Sequence, residues 1–340
     1  MNGYQRIAAA LAGEPTDATP VMLHNFMMAA REAGLSMREF RSDPRQIARA
    51  FRESVERYGY DGIMVDVDTA TLAAAVGVPV EYPEEEPAVC RGARLASLSE
   101  LDQLPPPDVA RHERVQVWVE AVRLLKREFS GEIFIRGNCD QAPFSLASLM
   151  RSAEGWMLDL MDPENESAAF RLLDYCYEAT IQFLRLMAAT GCDMLSNGDS
   201  SAGSSLISPR LHRRFAHSYE TRLAAFSHDL GLPYAQHVCG NARPILADLV
   251  ATGADAVELD FKTDSQSAHD ALMGRATLIG NIDPTGVMAL GTPDLVEAKC
   301  RTLIAIFADT PRLILNAGCA LPATTPPANL RAMIRTAHGN

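Results

Sequence analysis

The feature that most constrains this chain is a rhythm. Eight short β-rich apolar runs alternate with segments of helical spacing. The runs are PVMLHNF at 20–26, GIMVDV at 62–67, EIFIRGN at 132–138 and DMLSNGD at 193–199. PYAQHVC at 233–239, AVELDF at 256–261, TLIGNID at 277–283 and RLILNAGC at 312–319 follow. Segments such as PRQIARAFRESVERYG and PDLVEAKCRTLIAIFAD lie between them, with apolar residues at the period of one helix face. Several helices close on a glycine just before the next strand, as in AATG-CDML and VATG-ADAV, where glycine takes the left-handed cap conformation without a Cβ penalty. Strand and helix alternating eight times predict a parallel sheet with right-handed crossovers, closed into a single (β/α)8 TIM barrel over 1–340 with extra N-terminal helices. An open doubly wound sheet is the competing α/β arrangement, but no glycine-rich phosphate loop follows the first strand. EYPEEEPAV and DQLPPPDV, near 81–109, read as a surface insertion.

Composition narrows the partners. Forty-three acidic against 31 basic residues leave a formal charge of −12, with no Lys/Arg-dense stripe. Nucleic acid and anionic membranes are disfavoured, and a small molecule or a protein is the expected partner. The N-terminus MNGYQRIAAALAGEP reads as an amphipathic helix rather than a secretion signal, and no apolar run approaches the roughly 20 residues of a membrane span. Seven scattered cysteines do not form a disulfide framework, so a cytoplasmic location is expected.

In such a barrel the strand C-termini build the active site, and polar residues collect there: His24, Asn25, Asp66, Asp68, Asn138, Asp140, Asn197, Asp199, His237, Cys239, Asp260, Asn281, Asp283, Asn316 and Cys319. His237 and Cys239, two apart, would face one side of a strand, so an imidazole and a thiolate can reach one point. Both are preferred zinc ligands. Cys319 closes the eighth run beside Gly318 and would bring a third donor to the same mouth. Three protein ligands with one exchangeable position is a catalytic rather than a structural zinc pattern, and Asp260 or Glu258 is a candidate fourth ligand. Asp66 and Asp68 would share a strand face as general acid/base, as anchors for a cation, or as partners of a metal-bound histidine.

Over nearly its whole length the chain resembles the uroporphyrinogen decarboxylase superfamily, and within it the methylcobamide:coenzyme M methyltransferases. The stretches that carry the likeness are RIAAALAGEPTDATPVML, DVDTATLAAAVGVPVEY at 66–82, APFSLASLMRSAEG at 142–155 and GDSSAGSSLISPRLHRRFAHSYE at 198–220. HVCGNARPILADLVATGADAVELD at 237–260, IGNIDP at 279–284 and NAGCALPATTPPANL at 316–330 continue it. The decarboxylases' arginine-rich motif after the first strand reads LHNFMMAA here, their third-loop tyrosine is Leu149, and the histidine of their last strand is Cys319. Asp68 matches the decarboxylases' catalytic aspartate. The resemblance to the methyltransferases implies a zinc ion on His237, Cys239 and Cys319, with a methyl group passing between a corrinoid and a thiol such as coenzyme M. Asp68 and Asp199 are then expected to shape the thiol pocket or meet the corrinoid. With no D-x-H-x-x-G signature in the chain, the corrinoid is expected on a separate partner protein. Three alternatives stay open at this point: transfer from a methylated substrate onto the corrinoid, metal-free decarboxylation through Asp68, and a non-catalytic tetrapyrrole carrier.

Overall fold

A computed structural model describes residues 1–339. Eight parallel strands follow one another around a barrel: β1 (Met22–Leu23), β2 (Gly62–Val65), β3 (Phe134–Gln141), β4 (Met194–Gly198), β5 (Tyr234–Val238), β6 (Ala256–Leu259), β7 (Thr277–Ile282) and β8 (Leu313–Ala317). Each pairs with its sequence neighbour, and a parallel bridge between Val21 and Leu315 joins the last strand to the first. All eight expected strands are present. The first is much shorter than 20–26: Pro20 has no N–H for the ladder, and a helix already begins at Phe26. The stretch at 81–109 is an insertion built from a two-residue hairpin (Val80–Glu81 with Val89–Cys90) and two 3₁₀ turns. Among the described residues no helix is long and apolar enough to cross a membrane.

The strand period of two sorts the barrel interior into layers. The lowest is apolar, with Met22, Phe134, Met194, Ala235, Ala256, Ile279 and Ile314 packed together. Two residues further along the same strands stand His24, Arg136, Ser196, His237, Glu258, Asn281 and Asn316, all buried. Successive inward positions of one strand lie roughly 6–7 Å apart, so a single step of the pleat separates oil from charge.

The N-terminal helix (Gly3–Ala12) plugs the bottom of the barrel. It starts in a capping box between Asn2 and Gln5 and ends on Gly13 in the left-handed conformation. Ile7 and Ala10 insert into the lowest apolar layer, and both are fully buried. The barrel in turn satisfies the helix's last carbonyls: Thr277 Oγ1 donates to Ala10 O (3.0 Å) and Arg312 Nη1 to Leu11 O (2.7 Å).

Above that layer the polar side chains close into a ring. His24 Nε2 meets Asp66 Oδ2 at 2.6 Å, and Asn138 Nδ2 donates to Asp66 Oδ1. Ser196 Oγ donates to Asn138 Oδ1 and accepts from Arg136 Nε, and Arg136 Nη2 donates to Glu258 Oε2 at 2.8 Å. Asn316 Nδ2 donates to Glu258 Oε1, and the His24 peptide N–H returns to Asn316 Oδ1. Arg136 and Glu258 are both fully inaccessible to solvent.

Two stability outcomes follow. Ile7→Ala leaves a cavity under the barrel and should cost about 2–5 kcal/mol. Arg136→Met strands a buried carboxylate and should cost about 3–5 kcal/mol. Both are measured as a lower urea midpoint at unchanged m-value.

Candidate metal centre

His237 is the inward residue two positions above Ala235 on β5, and Cys239 lies just past the strand's end. The step of two holds across that end, with His237 Nε2 3.1 Å from Cys239 Sγ. Cys319 arrives by a longer route. Leaving β8, the chain leans across the mouth: the Gly318 N–H donates to Ile282 O at the end of β7 (2.8 Å), and Gly318 then packs on the backbone past the end of β6. A Cβ at Gly318 would fall 2.4 Å from Phe261 N and 3.0 Å from Asp260 Cα, so only glycine passes this close. One ligand atom each of His237, Cys239 and Cys319 lies within 4.8 Å of the others. No other group of three or more His, Cys, Asp and Glu side chains among the described residues comes together in this way.

The donor set fits zinc. Two sulfurs and an imidazole nitrogen at this spacing can reach one ion at about 2.0–2.3 Å each. His237 Nδ1, buried and without a hydrogen bond, faces Glu258 Oε2 at 3.6 Å, the arrangement in which a carboxylate orients a metal-bound histidine. Neither carboxylate expected as a fourth ligand joins the cluster. Glu258 is held by Arg136 and Asn316, and Asp260 accepts the backbone N–H of Gly240 (2.8 Å) and Lys262 (3.0 Å).

The charges are unequal. A hydrogen bond from Cys319 acts first on Cys239, and His237 adds to it. Together they outweigh burial and bring the Cys239 thiol down to about 3, while Cys319 is driven up by the same hydrogen bond and by burial. The pair thus keeps one proton, on Cys319. Burial opposes a charged His237, but the adjacent Cys239 thiolate prevails and lifts the imidazole to about 9. Ser200 Oγ donates a further hydrogen bond to Cys239 Sγ (3.1 Å).

The carboxylates of the two aspartates expected at the site, Asp68 and Asp199, are not part of this cluster, although the Asp199 N–H donates to His237 O at 2.8 Å. β2 ends at Val65, so Asp66 and Asp68 do not share a strand face. Asp66 turns into the polar ring toward His24. Asp68 folds back on its own loop, accepting the N–H of Ala70 and Thr71 and the Thr71 hydroxyl, and burial raises its pKa above the usual carboxylate range. Asp199 is wholly buried and accepts the N–H and hydroxyl of Ser145 through Oδ1. Burial, then Glu220, pushes it up to about 7. Ser145 Oγ also accepts the Ser201 N–H, which ties down the loop carrying Ser200. Sequence reasoning did not single out Ser200 or Arg136. A serine in a serine-rich loop carries no signal, and an arginine at 136 inside an apolar run was the available clue.

These charges set the pH behaviour of the metal-free protein. An ordinary thiol, near pKa 8.5, gains tenfold in thiolate per pH unit below neutrality. Cys239, already ionised, should react with iodoacetamide at a rate that barely changes between pH 5 and 8. His237→Ala should restore part of the usual rise, because it removes the cation that favours the thiolate. Mass mapping of the alkylated cysteine checks both.

Comparisons agree with this architecture. The description of the uroporphyrinogen decarboxylase (URO-D) family matches residues 2–340. The methylcobamide:CoM methyltransferase MtbA of Methanosarcina mazei is 25% identical over 338 residues, covering 98% of this chain and 96% of the relative. A uroporphyrinogen decarboxylase of Syntrophotalea carbinolica is 29% identical over 347 residues, covering 96% and 95%. A solved methyltransferase structure from Methanosarcina mazei superposes with a TM-score of 0.89 at 23% identity, over 100% of this chain and 99% of the other, and shares its fold. The chain belongs to the uroporphyrinogen decarboxylase (URO-D) family.

Proposed function

We propose that this chain is a zinc-dependent methyltransferase that moves a methyl group between a corrinoid, carried on a separate protein, and a small thiol. The observation that carries the reading is the convergence of His237, Cys239 and Cys319 at the barrel mouth. The names of the Methanosarcina relatives support it. Held by these three residues, zinc would supply the positive charge that keeps an acceptor thiol ionised at neutral pH. The transfer is a displacement at carbon: sulfur gains the methyl group and cobalt keeps the electron pair of the broken bond.

The chain's own residues position and tune. Glu258, fixed by Arg136 and Asn316, orients the His237 ring. Ser200 draws charge from Cys239 through its hydroxyl. Asp199 acts through Ser145 and Ser201 to hold the Ser200 loop, and Asp68 shapes the loop after β2. Around the mouth Leu206, Phe261 and Leu290, on the loops after β4, β6 and β7, expose apolar surface that would meet the corrinoid's carrier.

Decarboxylation of a porphyrinogen fits less well, although decarboxylases stand among the relatives. Its several carboxylates need charge-assisted partners. The stretch after β1, HNFMMAA, contains no arginine, Arg31 beyond it donates to Ala323 O, and Arg136 is committed to Glu258.

The test is metal analysis followed by turnover. Purified full-length protein should hold one equivalent of zinc, lost in His237→Ala and Cys319→Ala, and should demethylate free methylcobalamin only when a thiol is added. A wild type that binds no zinc, or that releases CO₂ from a porphyrinogen and leaves methylcobalamin intact, would overturn the proposal.

A further inference from the structure

A thiol that becomes a methyl acceptor must lose a proton, and the barrel mouth contains a group placed to take it. His24 stands just past β1, inside the polar ring. Its Nε2 lies 2.6 Å from Asp66 Oδ2. Asp66 is itself held through Oδ1 by the Val67 N–H (2.9 Å) and by Asn138 Nδ2 (3.2 Å). A carboxylate on Nε2 favours the tautomer with its hydrogen there, which leaves a lone pair on Nδ1. That Nδ1 is buried and has no hydrogen-bond partner. The ring is kept in place by stacking on Phe26, with centroids 5.6 Å apart.

The neighbouring chain ties this group to the metal centre. The segment that delivers Cys319 continues to Leu321, whose N–H donates to the His24 carbonyl at 2.8 Å. The third sulfur therefore stands two residues from a direct backbone bond to His24. On its other side His24 is linked through Asn316 to Glu258, the residue that faces His237. An aspartate-backed histidine with one free nitrogen, tied through its carbonyl to the segment that delivers Cys319, has the make-up of a general base.

We propose that His24, oriented by Asp66, is the catalytic base that accepts the proton of the substrate thiol. The inference rests on the methyl-transfer reading and deepens it. The S–H bond breaks with its electron pair left on sulfur, and the proton bonds to Nδ1. The Asp66 carboxylate stabilises the resulting imidazolium. The proton then passes to water that enters the mouth as the product leaves.

A purely structural role in the polar ring would make the same contacts, so the test must separate the two. Zinc-loaded, full-length wild type, His24→Ala and His24→Gln are compared for zinc content and for the rate of methylcobalamin demethylation by a fixed thiol, with and without added imidazole. One equivalent of zinc should remain in all three, and the rate should fall about 100–1000-fold in both variants, within the range for loss of a general base. Imidazole should restore His24→Ala at least tenfold and leave His24→Gln, whose side chain fills the space, nearly unchanged. If His24→Ala does not fold, a His24→Gln rate within threefold of wild type overturns the inference. So does a slow His24→Ala enzyme that imidazole does not help. A wild type that transfers no methyl group defeats the functional reading itself, a different result from an active wild type matched by its variants.

Discussion

The buried pair of Arg136 and Glu258 is the interaction on which the rest of the barrel interior depends. Taking two charges out of water costs several kcal/mol per ion, and attraction alone repays this only when the remaining donors and acceptors are also met. Here Arg136 gives Nε to Ser196 and Nη2 to Glu258, while the second oxygen of Glu258 takes Asn316. Burial disfavours the Glu258 carboxylate, but Arg136 more than offsets this, helped by His237, and keeps it below the usual range. The carboxylate beside His237 therefore stays charged, with its charge balanced by Arg136 in the same layer.

That balance explains the order of the layers. The lowest layer holds aliphatic side chains and Phe134, closed off by Ile7 and Ala10, so no water is available from below to solvate Arg136. Every polar group in the layer above must find its partner within the barrel or at the mouth. The ring from His24 through Asp66, Asn138, Ser196, Arg136 and Glu258 to Asn316 meets most of that need with contributions from β1, β2, β3, β4, β6 and β8 or the residues just past them, leaving Arg136 Nη1, His24 Nδ1 and His237 Nδ1 without a partner. It also couples strands far apart in the chain, so that His237 and the two sulfurs sit on a rigid base. Rigid support matters here because a loosely held ligand set weakens both affinity for a metal and the aim of a bound substrate.

The same frame accommodates different chemistry within one family. The relatives include decarboxylases and methyltransferases of similar length and comparable identity. What distinguishes sites in such barrels is a handful of side chains at strand ends, since the wall is set by the alternating pattern and the loops are free to vary. In this chain those strand-end positions include sulfurs at 239 and 319, and HNFMMAA contains no arginine.

The number of strands, their order and the identity of the three converging donors were legible in the sequence. The reason is local: strand and helix periods are written into consecutive residues, and a period of two places His237 and Cys239 on one side whatever the rest of the fold does. Gly318 beside Cys319 signalled a close approach, but not which backbone it approaches. Tertiary structure alone decided that Asp68 and Asp199 serve their own loops, that Asp66 pairs with His24, and that Glu258 belongs to Arg136 rather than to the metal cluster. Apart from Asp68, whose donors lie two and three residues further on, each of these depends on which oxygen meets which donor across tens to more than a hundred residues. That choice is governed by the competition of all buried polar groups for a limited set of partners, which no local period encodes.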